Sequence, residues 1–232
     1  MDLREFAAQA EQVLGERLIA LYQVGSSVAR GPRDREARLL MLVRSLDAAL
    51  LHDVRPLDAR ARAANLQLRF DTVGAVVASA DVFPIVTLEL IDTKTLIRGA
   101  DVLEPLTVHP EHLRLHVEQS LRNLHRALLI AYIEDEGPQS LSRDLRLNVR
   151  KSIYLLRALG LVCGLAFPDT PSAETLIDTV IGRLLPDVDR AIWHRLRRMA
   201  SFEQPVAPEE LAPLFADALD AFSALVTAAD AL

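Results

Sequence analysis

The chain has 232 residues, half of them hydrophobic and a quarter charged, with 32 acidic against 26 basic side chains and a formal net charge of −6. That balance excludes wholesale coating of nucleic acid and leaves room only for a local basic face; the single cysteine, Cys163, excludes an internal disulfide framework and fits a reducing compartment. No apolar run reaches the roughly 18 residues that a membrane span needs, and the opening MDLREFAAQ is charged and amphipathic rather than signal-like, so the expectation is a cytoplasmic protein without a membrane contact.

Residues 2–14 predict a helix. Leu3, Phe6, Ala7, Ala10, Val13 and Leu14 fall at helical spacing, Asp2 can cap the start and Gly15 can end it. Residues 18–24 then predict a buried strand, 25–37 a loop rich in Gly, Pro and charge, and LLMLV at 39–43 a second buried strand. A helix is expected over about 46–64, with Ser45 as N-cap and a kink or break at Pro56. LQLRF at 66–70 alternates and reads as a third strand, and a short helix at 73–79 starts from Asp71 or Thr72. DVFPIVTLELID, 81–92, is the most strand-like stretch of the chain, and Arg98-Gly99 marks a turn.

From about 107 the strand patterns stop. Val117, Leu121, Leu124, Leu128 and Tyr132 form one helical stripe; Leu145, Val149, Ile153, Leu156 and Leu159 form the next. Thr170-Pro171 reads as an N-cap followed by Pro at the first helical position, with Leu176, Ile177, Val180 and Leu184 continuing that helix. Val188, Ile192, Leu196 and Met199 stripe another helix, and Leu214, Phe215, Ala218, Phe222, Leu225 and Val226 the last. Five helices on short connections predict an antiparallel bundle. The fold class expected is therefore α+β: a small mixed sheet with flanking helices over 1–106, followed by an all-α bundle over 107–232.

Three constellations carry chemistry or imitate it. His112 and His116 stand at i, i+4 on a predicted helix, a zinc-compatible spacing, but no partner cluster follows and they read as surface histidines. Arg190, His194, Arg197 and Arg198 share a helix face, as do Arg143, Arg146 and Arg150; each face reads as solvated, with phosphate or RNA binding as the functional alternative. The third is QVGSSVARG at 23–31, directly after the apolar run LIALY. A strand ending in Gly-Ser ahead of a short helix presents free N–H groups and a hydroxyl, which is a phosphate-binding arrangement.

The order helix, strand, Gly-Ser, loop, second strand resembles the opening of the nucleotidyltransferase superfamily with the DNA polymerase β-like fold, and LYQVGSSVARG resembles that family's YGSxARG turn. DVFPIVTLELIDTKTLIRGADVLEPL resembles a segment that, in prokaryotic members, precedes an appended helical domain, whose first helix LRLHVEQSLRNL resembles. The resemblance implies a nucleotide-binding cleft in which Gly25, Ser26 and Arg30 hold phosphate; Arg38, which departs from the family's pattern, is expected to pair with phosphate oxygens through its guanidinium. The resemblance also implies two carboxylates at i, i+2 on the second strand, which hold Mg²⁺ on a nucleoside triphosphate, and a third carboxylate from a neighbouring strand.

That acid set is damaged here. Aligning on LLMLV puts Glu36 and Arg38 at the paired positions; Glu36 can ligate a metal and Arg38 cannot. An alternative register uses Asp34 and Glu36 as the pair. Val86 stands where the family's third segment carries an acid, with Glu89 and Asp92 nearby; Glu89 reads as a charge on an otherwise apolar strand. The expected function is a nucleotidyltransferase-like protein that binds a nucleotide or a partner with little or no transfer. Two alternatives stay open. One is an active Mg²⁺-dependent enzyme with Asp34, Glu36 and Glu89 as catalytic acids. The other is a non-catalytic interaction module whose partner is a second copy or another protein.

Overall fold

The computed structural model describes residues 2–25, 37–134, 137–168 and 171–232. Its architecture is α+β, with a small mixed four-stranded sheet and flanking helices. The chain divides into two compact units, one containing residues 2–25 and 37–108 and the other the described residues from 109 onward.

In the first unit, α1 (Leu3–Leu14) starts on Asp2, whose side chain accepts from the Arg4 N–H. It ends at Gly15, and a 3-10 turn (Gly15–Arg17) leads into β1 (Leu18–Val24). Next come β2 (Ala37–Val43), α2 (Ala48–Ala63), β3 (Leu66–Thr72), α3 (Val73–Ala78), α4 (Pro84–Thr93) and β4 (Thr95–Gly99). The strand order is β3-β2-β1-β4; β1 pairs antiparallel with β2 and β4, and β2 pairs parallel with β3.

Side chains alternate between the two faces of a strand, and both faces are apolar. Leu21, Leu39, Met41, Val43 and Leu66 pack with Phe6, Ala10 and Leu14 of α1 and Leu50, Val54 and Leu57 of α2. Ala20, Tyr22, Leu40 and Leu42 face the other way, against Val76 of α3, Leu90 and Ile91 of α4, and Leu103 and Leu106 beyond β4. This two-sided burial explains why LLMLV is a continuous apolar run. Each fully buried side chain of this kind stabilises the fold by about 1.5–3 kcal/mol.

Four local expectations need correction. The segment 81–92 is largely a helix, not a strand. Pro84 occupies a first-turn position, where its fixed φ suits a helix and its missing N–H costs nothing, and Leu90 and Ile91 then reach the sheet core together; an unbroken apolar run does not by itself distinguish strand from helix. Asp47, not Ser45, caps α2, accepting from the Leu50 N–H at 2.8 Å. That helix continues unbroken through Pro56 to Ala63. Arg98-Gly99 ends β4 rather than forming a free turn. Gly99 has φ +90°, and a Cβ there would lie 2.2 Å from the Ile19 carbonyl oxygen, so only glycine fits.

The second unit is helical: α5 (Pro110–Ile133), α6 (Pro138–Val162), α7 (Ala173–Leu176), a π-helical stretch (Ile177–Ile181), α8 (Gly182–Leu184), α9 (Arg190–Ala200) and α10 (Pro208–Asp230). Ser172 caps α7 by accepting from the Thr175 N–H, so the helix begins after Pro171; Thr170 lies outside the described residues. The expected stripe on α5 buries Val117, Leu121, Leu124 and Leu128, and α6 buries Leu145, Val149, Ile153, Leu156 and Leu159. Tyr132 is half-exposed and stacks on Phe215 of α10 at 5.4 Å between ring centroids. Trp193 is fully buried and lies 5.3 Å from Phe222. Among the described residues α10 alone is long and apolar enough to cross a membrane, and here its Leu214, Phe215, Phe222 and Leu225 are buried against the protein.

Candidate functional site

The Gly-Ser turn starts where β1 ends. Gly25 has φ +102°, a conformation glycine adopts without the penalty of a Cβ. Its N–H donates to Thr93 Oγ1 at 2.9 Å, and that hydroxyl donates to the Glu89 carbonyl oxygen at 2.6 Å. The last turn of α4 is thus fastened to Gly25, the residue that follows β1. A phosphate would have to displace Thr93 to reach this amide. Ser26, Arg30, Asp34 and Glu36, the other expected loop residues of the site, lie outside the described residues.

Gly25 opens onto a cleft of about 540 Å³ between the sheet and helices α3 and α4. Val24 and Leu40 contribute from the strands, Ala75 and Val76 from α3, and Thr87 and Leu90 from α4. The charged side chains Arg38, Arg69, Asp71 and Glu89 also line it. Their positions on the sheet follow from register. In the parallel pair, Arg38 stands beside Gln67, Leu40 beside Arg69 and Leu42 beside Asp71. Because Leu40 and Leu42 face α3 and α4, the alternation carries Arg38, Gln67, Arg69 and Asp71 to that same side.

Arg38 Nη1 lies 3.9 Å from Glu89 Oε1, with both side chains partly exposed. Glu89 lines the cleft from a helix, not from the strand that the sequence suggested. Arg69 and Gln67 are exposed. Asp71 keeps one carboxylate oxygen on the Thr72 N–H at 2.8 Å, at the start of α3, which Thr72 caps through the Ala75 N–H. The mouth is apolar: Phe83 and Val86 line it, 58 % and 54 % exposed.

Beside the cleft, Tyr22 donates to Asp101 Oδ1 at 2.9 Å, and Lys94 Nζ binds both Asp101 carboxylate oxygens at 2.9 and 2.7 Å. Burial, reinforced by the bond to Asp101, pushes the Tyr22 phenol up to about 12. The Lys94 bond holds the Asp101 carboxyl below its ordinary value. This network ties the segment after β4 to β1.

The other constellations are engaged in ion pairs and packing. His194 contacts Asp178 at 3.0 Å, and Arg197 pairs with Glu174 and Glu203, both at 2.6 Å. Arg146 lies over the Phe202 ring. Among the described residues no group of three His, Cys, Asp or Glu side chains converges on a metal position, and this includes His112 and His116.

Sequence reasoning misses Arg69, Asp71, Phe83 and Thr93 as lining residues. LQLRFD carries part of the means of finding the first two, since its alternation places Gln67, Arg69 and Asp71 on one face. For Thr93 no local signal exists, because its partner is 68 residues away.

No family model matches the chain, and no curated protein matches it. The resemblance described above therefore stands on the residues and their order.

Proposed function

We propose that the first unit is a nucleotidyltransferase-like domain whose cleft binds a nucleotide through guanidinium groups, with little or no transfer, and that the helices of the second unit form its appended bundle. The order α1, β1, Gly-Ser, β2 and the helical character of residues 110–230 support the family part of this reading.

The observation that carries the functional part is the register of β2 and β3. It sets Leu40 beside Arg69 and carries Arg38 to the same face of the sheet, and all three line the cleft. In the register set by LLMLV, Arg38 takes a position that metal catalysis fills with a carboxylate. A guanidinium about 4 Å from a divalent cation costs on the order of several kcal/mol even at an effective dielectric of 20, so the described residues do not fit Mg²⁺ at this position. Two arginines fit phosphate instead, because a guanidinium presents a fork of donors matched to its oxygens and stays charged at any physiological pH. In the free protein Glu89 is the counter-ion of Arg38, and a phosphate replaces it on binding.

The proposal is tested by calorimetric titration of the full chain with ATP in EDTA. Binding without metal supports it. Turnover that requires Mg²⁺ and disappears in Asp34→Ala would instead establish the active enzyme, with Asp34 and Glu36 as the metal pair.

A further inference from the structure

On the reading of the cleft as a nucleotide site, we infer that Phe83 is the residue that recognises the ligand's ring, making the α3–α4 mouth of the cleft a base-stacking subsite. The lining of the cleft is divided in chemistry. Arg38, Arg69, Asp71 and Glu89 supply its charges, whereas Phe83, Val86 and Val76 are apolar, and the Ser79 hydroxyl in the same lining already donates to the Val76 carbonyl oxygen. Anionic phosphates belong with the arginines and a flat, weakly hydrated ring with the apolar side chains.

Phe83 is placed for this role by its backbone. It is the N-cap residue of α4, with φ −124° and ψ 55°, and Pro84 follows at the first helical position. Pro84 opens the helix directly after it, so the residue that carries the ring is held at a helix terminus. Phe83 and Val86, which both line the cleft, are 58 % and 54 % exposed and so leave apolar surface in water beside its charged side chains. The charges in the same cleft determine what that surface binds. The occupant must join an aromatic ring to an anion.

Dimensions agree with this division. Phe83 and Glu89 are six residues apart at and within α4, about 9 Å of helix rise, a separation that a ribose between ring and phosphates can bridge. The cleft volume of about 540 Å³ lies within the roughly 300–1,000 Å³ of small-molecule sites. Stacking is indifferent to the hydrogen-bonding edge of a base, so adenine, guanine and cytosine nucleotides should all bind, ranked by ring size rather than by edge.

The test titrates ATP and inorganic tripolyphosphate into wild type, Phe83→Ala, Phe83→Trp and Arg38→Gln in EDTA, with melting curves confirming that each variant is folded. The expected result is that Phe83→Ala weakens ATP about tenfold or more, leaves tripolyphosphate unchanged, and is rescued by Phe83→Trp, while Arg38→Gln weakens both probes. If Phe83→Ala leaves ATP unchanged while Arg38→Gln weakens both, the base subsite is wrong and the phosphate site stands. If Phe83→Ala weakens both probes equally, ring recognition is also wrong. If wild type binds neither probe, the nucleotide reading fails and the subsite fails with it.

Discussion

Arg38 and Glu89 face each other across the cleft, Nη1 to Oε1 at 3.9 Å, one from the interior strand β2 and the other from α4. The pair is loose and partly solvated, so it is worth at most about 1 kcal/mol. It is enough to compete with an incoming anion. Glu89→Gln should therefore tighten metal-free tripolyphosphate binding by about two- to fivefold, the equivalent of that energy. An unchanged affinity would show that Arg38 does not face the bound phosphates.

The Tyr22 phenol should ionise only near pH 12, against an ordinary value of 10.0. Its folded value lies above its unfolded one, so the stabilisation it contributes is fully present below about pH 10 and is lost as pH rises towards 12. A phenolate absorbance titration should show a phase that resists up to that range, and Tyr22→Phe should remove it. A titration that Tyr22→Phe leaves unchanged would mean that the hydroxyl is not held by Asp101.

Gly99 and Gly74 make a matched pair. Gly99→Ala places a methyl against the Ile19 carbonyl at a left-handed backbone position, and should destabilise by about 2–4 kcal/mol. Gly74 lies in α3 with nothing within 4 Å of its absent Cβ, and Gly74→Ala should stabilise by about 0.5–1 kcal/mol. Denaturant melts of the two variants should move in opposite directions.

In the helical unit, Leu121 and Leu156 are both 0 % exposed. Leu121→Asp or Leu156→Asp buries an unpaired carboxyl and should cost several kcal/mol, on the order of 3–5. A change below about 0.5 kcal/mol in a denaturant melt would place these positions at the surface.

The elements most legible in the sequence are those whose pattern and termini agree. The helix that runs from Asp2 to Gly15 has its cap, its stripe and its stop within the segment itself. The segment 81–92 misleads because an apolar run fits a buried strand and a buried helix equally well, and only Pro84 points to a helix start. The site is partly legible: the place of Arg38 follows from the apolar run of β2. The alternation of β3 puts Arg69 and Asp71 on one face, but that this face is the one at the cleft depends on the parallel register with β2, and the Thr93 anchor depends on a contact far along the chain. Neither the register nor that contact is written in local periodicity.

The most direct test of the account titrates ATP into wild type and Arg38→Asp, each with EDTA and with Mg²⁺. Arg38→Asp replaces the phosphate-pairing cation by a carboxylate at a metal-ligand position. Wild type should bind equally well with and without metal. The variant should lose at least about tenfold in EDTA, the equivalent of about 1.4 kcal/mol for a charged hydrogen bond, and recover when Mg²⁺ is added. Wild-type binding that requires Mg²⁺, together with an Arg38→Asp variant indistinguishable from wild type, would contradict the account.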